Sequence, residues 1–99
     1  MASVLYIISQ SPFKRRDGIL YLKLAEADDA VIFIQNGVYA KRAMPTEMKS
    51  ALEDAVKRGV KVYFLKEDLE ARGLSSEGED IIDYDGFLDL IESHSKIVH

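Results

Sequence analysis

The chain has 99 residues, 47% of them hydrophobic and 30% charged, with a formal net charge of −4. That size and balance fit one globular domain and exclude a disordered, fibrous or strongly basic nucleic-acid-binding chain. It contains no cysteine, which removes disulfides, thiolate metal sites and cysteine nucleophiles together. No apolar run approaches the roughly 20 residues that span a bilayer, and MASVLYIISQSPFKRR has no basic region ahead of its apolar stretch. The expectation is a cytoplasmic single domain over residues 1–99 without membrane contact.

Residues 3–8, SVLYII, are β-branched and aromatic and predict a buried strand that Ser11-Pro12 ends. From about Arg15 to Ala27 the residues Ile19, Leu20, Leu22, Leu24, Ala25 and Ala27 predict a helix with a broad apolar face, its first turn weakened by Gly18. Asp28-Asp29 opens a second buried strand, AVIFIQ. The Asn36-Gly37 pair that follows is the usual signal of a two-residue hairpin turn, yet no returning strand of comparable length comes after it. Instead Met48, Ala51, Leu52, Ala55 and Val56 lie at i, i+3, i+4, i+7 and i+8, a helix that Pro45-Thr46 starts and Gly59 closes.

Residues 60–65, VKVYFL, predict a third strand, and KEDLEARGL a short helix. Gly73 is its left-handed terminator, with Leu74 folding back on Leu69. SSEGED at 75–80 is a polar loop and DIID a short fourth strand. Tyr84, Phe87, Leu88 and Ile91 mark an amphipathic helix capped by Asp83 or Asp85. The tail SHSKIVH reads as a frayed end or a partner contact.

Strands alternating with helices, the first three strands apolar almost throughout, predict an α/β fold. It is a small, doubly wound, mainly parallel sheet of about four strands with helices on both faces. In such a sheet Asn36-Gly37 lies at the carboxyl end of the second strand, where ligands and functional loops gather. Asn36, Gly37 and Tyr39 are therefore either a plain turn, with positive φ accepted at Asn or Gly, or a ligand or partner edge. The broad face of the first helix predicts a dimer or larger assembly through Ile19, Leu22 or Tyr21.

The six glycines form neither GxGxxG nor GxxxxGK[ST], so no phosphate cradle and no nucleotide cofactor is expected. His94 and His99 read as solvated tail residues rather than metal ligands, and a Ser-His-Asp triad would have to recruit that tail. Asp28, Asp29, Asp83 and Asp85 read as caps and turn residues. Lys14-Arg15-Arg16 after Phe13, and Lys41-Arg42 after Tyr39, place cations beside aromatic rings as RNA-contacting surfaces do; on an acidic chain they also fit ordinary solvated surface. Tyr21 and Tyr39 remain open between core, interface and ring-stacking roles. No catalytic residue, metal site or cofactor site emerges, and a non-enzyme is expected.

SQSPF at 9–13, IFIQNGVYA at 32–40, VKVYFLKEDLEARGL at 60–74 and IIDYDGFLDLIE at 81–92, in this order, resemble the DsrH/TusB family nearly end to end. The resemblance implies a doubly wound α/β subunit of a cytoplasmic sulfur relay, working beside DsrE/TusD-like and DsrF/TusC-like subunits. Such assemblies pass persulfide sulfur toward 2-thiouridine at the tRNA wobble position, or serve sulfur oxidation. It implies at most indirect contact with tRNA. In cysteine-bearing relatives a cysteine stands on the first helix, and ungapped alignment puts Tyr21 at that position. The role implied is non-catalytic and architectural. The alternative is a stand-alone homo-oligomer of the same fold that binds a small ligand or regulatory partner at the edge formed by residues 36–39.

Overall fold

The structure is a computed structural model and describes residues 3–14 and 17–99. The chain runs β1 (Val4–Ile8), α1 (Asp17–Leu24), β2 (Ala30–Phe33), a 3-10 helix (Gln35–Lys41), α2 (Thr46–Lys57), β3 (Lys61–Leu65), α3 (Lys66–Ala71), β4 (Ile81–Ile82), α4 (Tyr84–Ser93) and β5 (Lys96–Val98). The strands form one sheet in the order β4-β3-β2-β1-β5. Every pairing is parallel, with Leu5 opposite Ala30, Ala30 opposite Lys61, Phe64 opposite Ile81 and Val4 opposite Lys96. The α/β parallel architecture read from the sequence is borne out, with one strand added.

That added strand is the tail. Lys96–Val98 is not a frayed end but an edge strand on β1. Its alternation of Ile97 and Val98 supplies one apolar side chain to each core. Two serines fix its start: the Ser3 amide donates to Ser95 Oγ at 3.0 Å, and that hydroxyl donates to the Ser3 carbonyl at 2.9 Å. Three residues are too short a run for periodicity to reveal.

Winding from β1 through β4 moves one way across the sheet, so the helices on that path share a face. Tyr6, Ile8, Val31, Phe33 and Phe64 point into this side, against Ile19 and Leu22 of α1, Met48, Ala51 and Ala55 of α2, and Leu69 of α3. The return from β4 to β5 carries α4 over the opposite face, where Leu5, Ile32 and Leu65 meet Phe87 and Leu90. The period-two alternation of each strand divides the two cores.

Local endings follow the residues that encode them. At Gly73, with φ of +68°, the Gly73 amide reaches Glu70 O and the Leu74 amide reaches Leu69 O at 2.9 Å, the expected left-handed ending with Leu74 on the core. Asp83, not Asp85, caps α4 by accepting from the Gly86 amide at 2.9 Å. Helix α1 is shorter than the apolar residues suggest. Its Gly18 is where α1 meets α2 and β1, since a Cβ there would lie 2.9 Å from Met48 Cε and 3.2 Å from Ile8 Cδ1. Ile19 and Leu22, expected as leftover surface, are buried in the core; the exposed large apolar residues of α1 are Leu20 and Leu24.

Candidate functional site

The carboxyl edge of the sheet begins at the last residues of β1 and β2. The Ile34 amide donates to the Ile8 carbonyl at 2.9 Å, and the Gly37 amide to the Ile34 carbonyl at 2.8 Å. These bonds fold Gly37 onto the end of β1 so closely that a Cβ there would overlap the Ile8 carbonyl oxygen. The glycine is needed for close approach rather than for positive φ. The left-handed residue is Gln35, at φ +49°. The Asn-Gly pair thus neither makes a hairpin nor occupies the left-handed region; it starts a 3-10 helix that buries Gly37, Val38 and Ala40.

Two charged side chains, Asp68 of α3 and Arg72 just past its end, then lock this turn. Asp68 accepts from the Gln35 amide at 2.6 Å. Arg72 donates through Nε and Nη2 to Asn36 Oδ1 at 3.2 and 3.1 Å, and its Nη1 stands 3.7 Å from Asp68 Oδ1. The same guanidinium lies over the half-open Tyr39 ring, 5.9 Å from its centre. Asp68 and Arg72 are not among the residues singled out from the sequence, although their i, i+4 spacing is the signal of such a pair. Asn36, Gly37 and Tyr39 come together with them as one intramolecular clamp.

The basic clusters fare differently. Lys41 donates to both carboxylate oxygens of Asp80, at 3.0 and 2.8 Å, and sits 5.3 Å above the Phe64 ring. It holds the 3-10 helix to the approach of β4 rather than offering a free cation. Lys14 is exposed beside Phe13, whose side chain is 67% exposed; Arg15 and Arg16 lie outside the described residues.

Tyr21 belongs to a second part of the edge. β1 lies between β2 and β5, so the direction of winding reverses there, and the carboxyl ends of β1 and β5 border a crevice of the kind that open α/β sheets use for ligands. A cavity of about 220 Å³ occupies it, lined by Ser9, Gln10, Asp17, Gly18, Tyr21 and His99 among others. The Tyr21 ring lies 5.4 Å from that of Tyr6. Burial of Tyr6, and then the charges of Asp29 and Glu26, raise its phenol above the ordinary tyrosine value, so it stays a neutral packing group. The cavity offers hydroxyl, amide, imidazole and carboxylate groups but no thiol. His94, meanwhile, is held by the Leu90 carbonyl at 2.7 Å, and no cluster of metal-ligating residues occurs among the described residues.

Among the described residues Asp29 is the buried acidic one. Its carboxylate accepts from the Val4 and Glu26 amides, both at 2.9 Å, tying the start of β1 to the α1–β2 turn. That is turn chemistry, not acid–base chemistry. No described helix is long and apolar enough to cross a membrane.

Comparison with known proteins agrees with this geometry over nearly the whole chain. The family model described as DsrH like protein matches residues 10–97. The chain is 36% identical over 96 residues to Protein TusB of Photorhabdus laumondii, covering 94% of this chain and 96% of that one. It is also 36% identical over 89 residues to Protein TusB of Erwinia tasmaniensis, covering 90% and 88%. Among solved structures it is similar to the solution structure of Tm0979 from Thermotoga maritima. That match has a TM-score of 0.61 and 29% identity, and covers 90% of this chain and 91% of that one.

Proposed function

This chain belongs to the DsrH family, and from that premise we propose that it is a thiol-free, architectural subunit of a sulfur relay. In this reading it completes an assembly in which a cysteine of a companion DsrE/TusD-like subunit carries sulfur. Its likeness to TusB proteins directs that sulfur toward 2-thiolation of the tRNA wobble uridine. The observation that carries the proposal is the absence of any cysteine from a chain that follows TusB over nearly its full length.

Persulfide transfer requires a thiolate that attacks the outer sulfur of a donor persulfide. A new S–S bond forms, the donor's S–S bond breaks, and the donor leaves as a thiolate. Tyr21, at the position of the cysteine in cysteine-bearing relatives, has only a phenol, and oxygen does not take part in that exchange. Methionine has no S–H to lose. What the chain contributes is a rigid carboxyl edge, held by the clamp of Asp68, Arg72 and Asn36, beside a crevice that can receive part of a companion. Contact with tRNA stays indirect in this reading, and Lys41 is engaged by Asp80 within the chain. The near-complete likeness to TusB supports a subunit role over a stand-alone oligomer that binds a small ligand.

The test combines two mass measurements. The isolated chain is incubated with a persulfidated donor, and its intact mass should show no added sulfur atom. Co-expressed with the DsrE/TusD-like and DsrF/TusC-like proteins of the same organism, it should appear in a native complex with them. A stable one-sulfur adduct, or the absence of any complex, overturns the reading.

A further inference from the structure

Helix α4 carries three rows of side chains, each at its own angle around the axis. Phe87 and Leu90 face the sheet. Tyr84, Leu88 and Ile91 stand at i, i+4 and i+7, about a quarter-turn away, and remain 54%, 41% and 37% exposed. Asp85, Asp89 and Glu92 repeat the same spacing one residue on, so an acidic row runs alongside the apolar one. The helix has neither lysine nor arginine and no fully buried residue. An isolated exposed leucine needs no explanation, but a row of three large apolar side chains bordered by charge is how contact surfaces are built.

We propose that this flank of α4 is the docking surface for a different subunit of the relay, one presenting an apolar ridge bordered by lysine or arginine. The proposal rests on the subunit reading above and adds to it the surface and the partner's chemistry. Charge decides between a foreign chain and a second copy. An antiparallel two-fold pairing of the apolar row with itself lays the two rows of Asp85, Asp89 and Glu92 side by side, between chains that each carry a net −4. A parallel pairing aligns like ends of two helix dipoles. A basic-rimmed partner removes both costs, because the acidic row then gains opposite charges while the apolar row is covered.

The experiment measures the affinity of the purified chain for the DsrE/TusD-like and DsrF/TusC-like proteins of the same organism, with native mass spectrometry to count subunits. Leu88→Lys with Ile91→Lys should weaken binding about 30-fold or more, as loss of a central apolar contact does. Asp89→Lys with Glu92→Lys, on exposed positions outside both core clusters, should weaken it less and flatten its salt dependence. Leu20→Lys with Leu24→Lys, on the exposed side of α1, should leave binding unchanged. Circular dichroism melts check that each variant folds, and the Asp89/Glu92 pair decides the matter if the Leu88/Ile91 pair does not. Wild-type binding that survives the α4 substitutions, or is lost with the α1 pair instead, overturns the surface while leaving the subunit reading standing. A homodimer of the isolated chain that Leu88→Lys dissolves assigns the face to a second copy and overturns the partner. Failure of the wild type to bind either companion refutes the subunit reading itself and the surface with it.

Discussion

The two faces of the sheet are built to different depths. On one, α1, α2, α3 and the 3-10 helix cover Tyr6, Ile8, Val31, Phe33 and Phe64, and the Phe33 and Phe64 rings stack 4.8 Å apart. On the other, a single helix covers Leu5, Ile32 and Leu65 while Ile34, Tyr63 and Ile82 stay half-buried. Both faces are drawn from the same strands, with equally apolar side chains. The difference is in what the connections supply: three crossovers lie on the first face and one on the second. It follows that the first face carries the larger share of the isolated chain's stability, and that the second has apolar surface available for contacts outside the chain.

Four substitutions probe this contrast. Phe33→Ala, at the centre of the covered face, should cost about 3–5 kcal/mol in denaturant unfolding. A loss under 1 kcal/mol would mean the two faces are more alike than their burial indicates. Gly37→Ala drives a methyl into the Ile8 carbonyl and should cost about 1–3 kcal/mol through backbone displacement, readable as a lowered unfolding midpoint with an unchanged slope. Arg72→Ala removes the bonds to Asn36 and should cost about 1–2 kcal/mol. Its hydrogen-exchange signature is local, with faster exchange from residues 35–41 and little change in β1. Leu88→Ala, on the exposed flank of α4, should alter the stability of the isolated chain by less than about 0.5 kcal/mol; a larger loss would make that row part of the core.

The elements and their order were legible because long apolar strands and a helical stripe such as Met48, Ala51 and Ala55 announce themselves by period. Capping by Asp83 and the ending at Gly73 were legible because single residue types carry those geometries. The clamp was not, although both halves stand in plain view as IQNG and EDLEARGL. Its bonds join residues more than 30 positions apart, as from Gln35 to Asp68, and no local pattern reports a contact of that span. Asn-Gly was misleading for a related reason: the pair is a turn signal in isolation, whereas here the demand on residue 37 comes from the Ile8 carbonyl of another strand. The role of Gly18 was hidden in the same way by Met48.

The pairing of β5 with β1 also bears on how the chain is made. Ser3 and Ser95, which bond each other at the start of that pair, lie 92 positions apart. On a ribosome β1 emerges first, yet one side of its backbone ladder finds its partner only when residues 96–98 have been synthesised. Until then a nascent chain can assemble β1 to β4 with their crossovers but keeps β1 as an open, apolar-flanked edge, one strand short of the finished sheet. Open edges of that kind recruit other strands, so the interval between the emergence of β4 and that of β5 is when this chain most needs a chaperone or a low local concentration. Closure by so distant a partner also raises the contact order, which slows folding relative to a sheet built from neighbours alone.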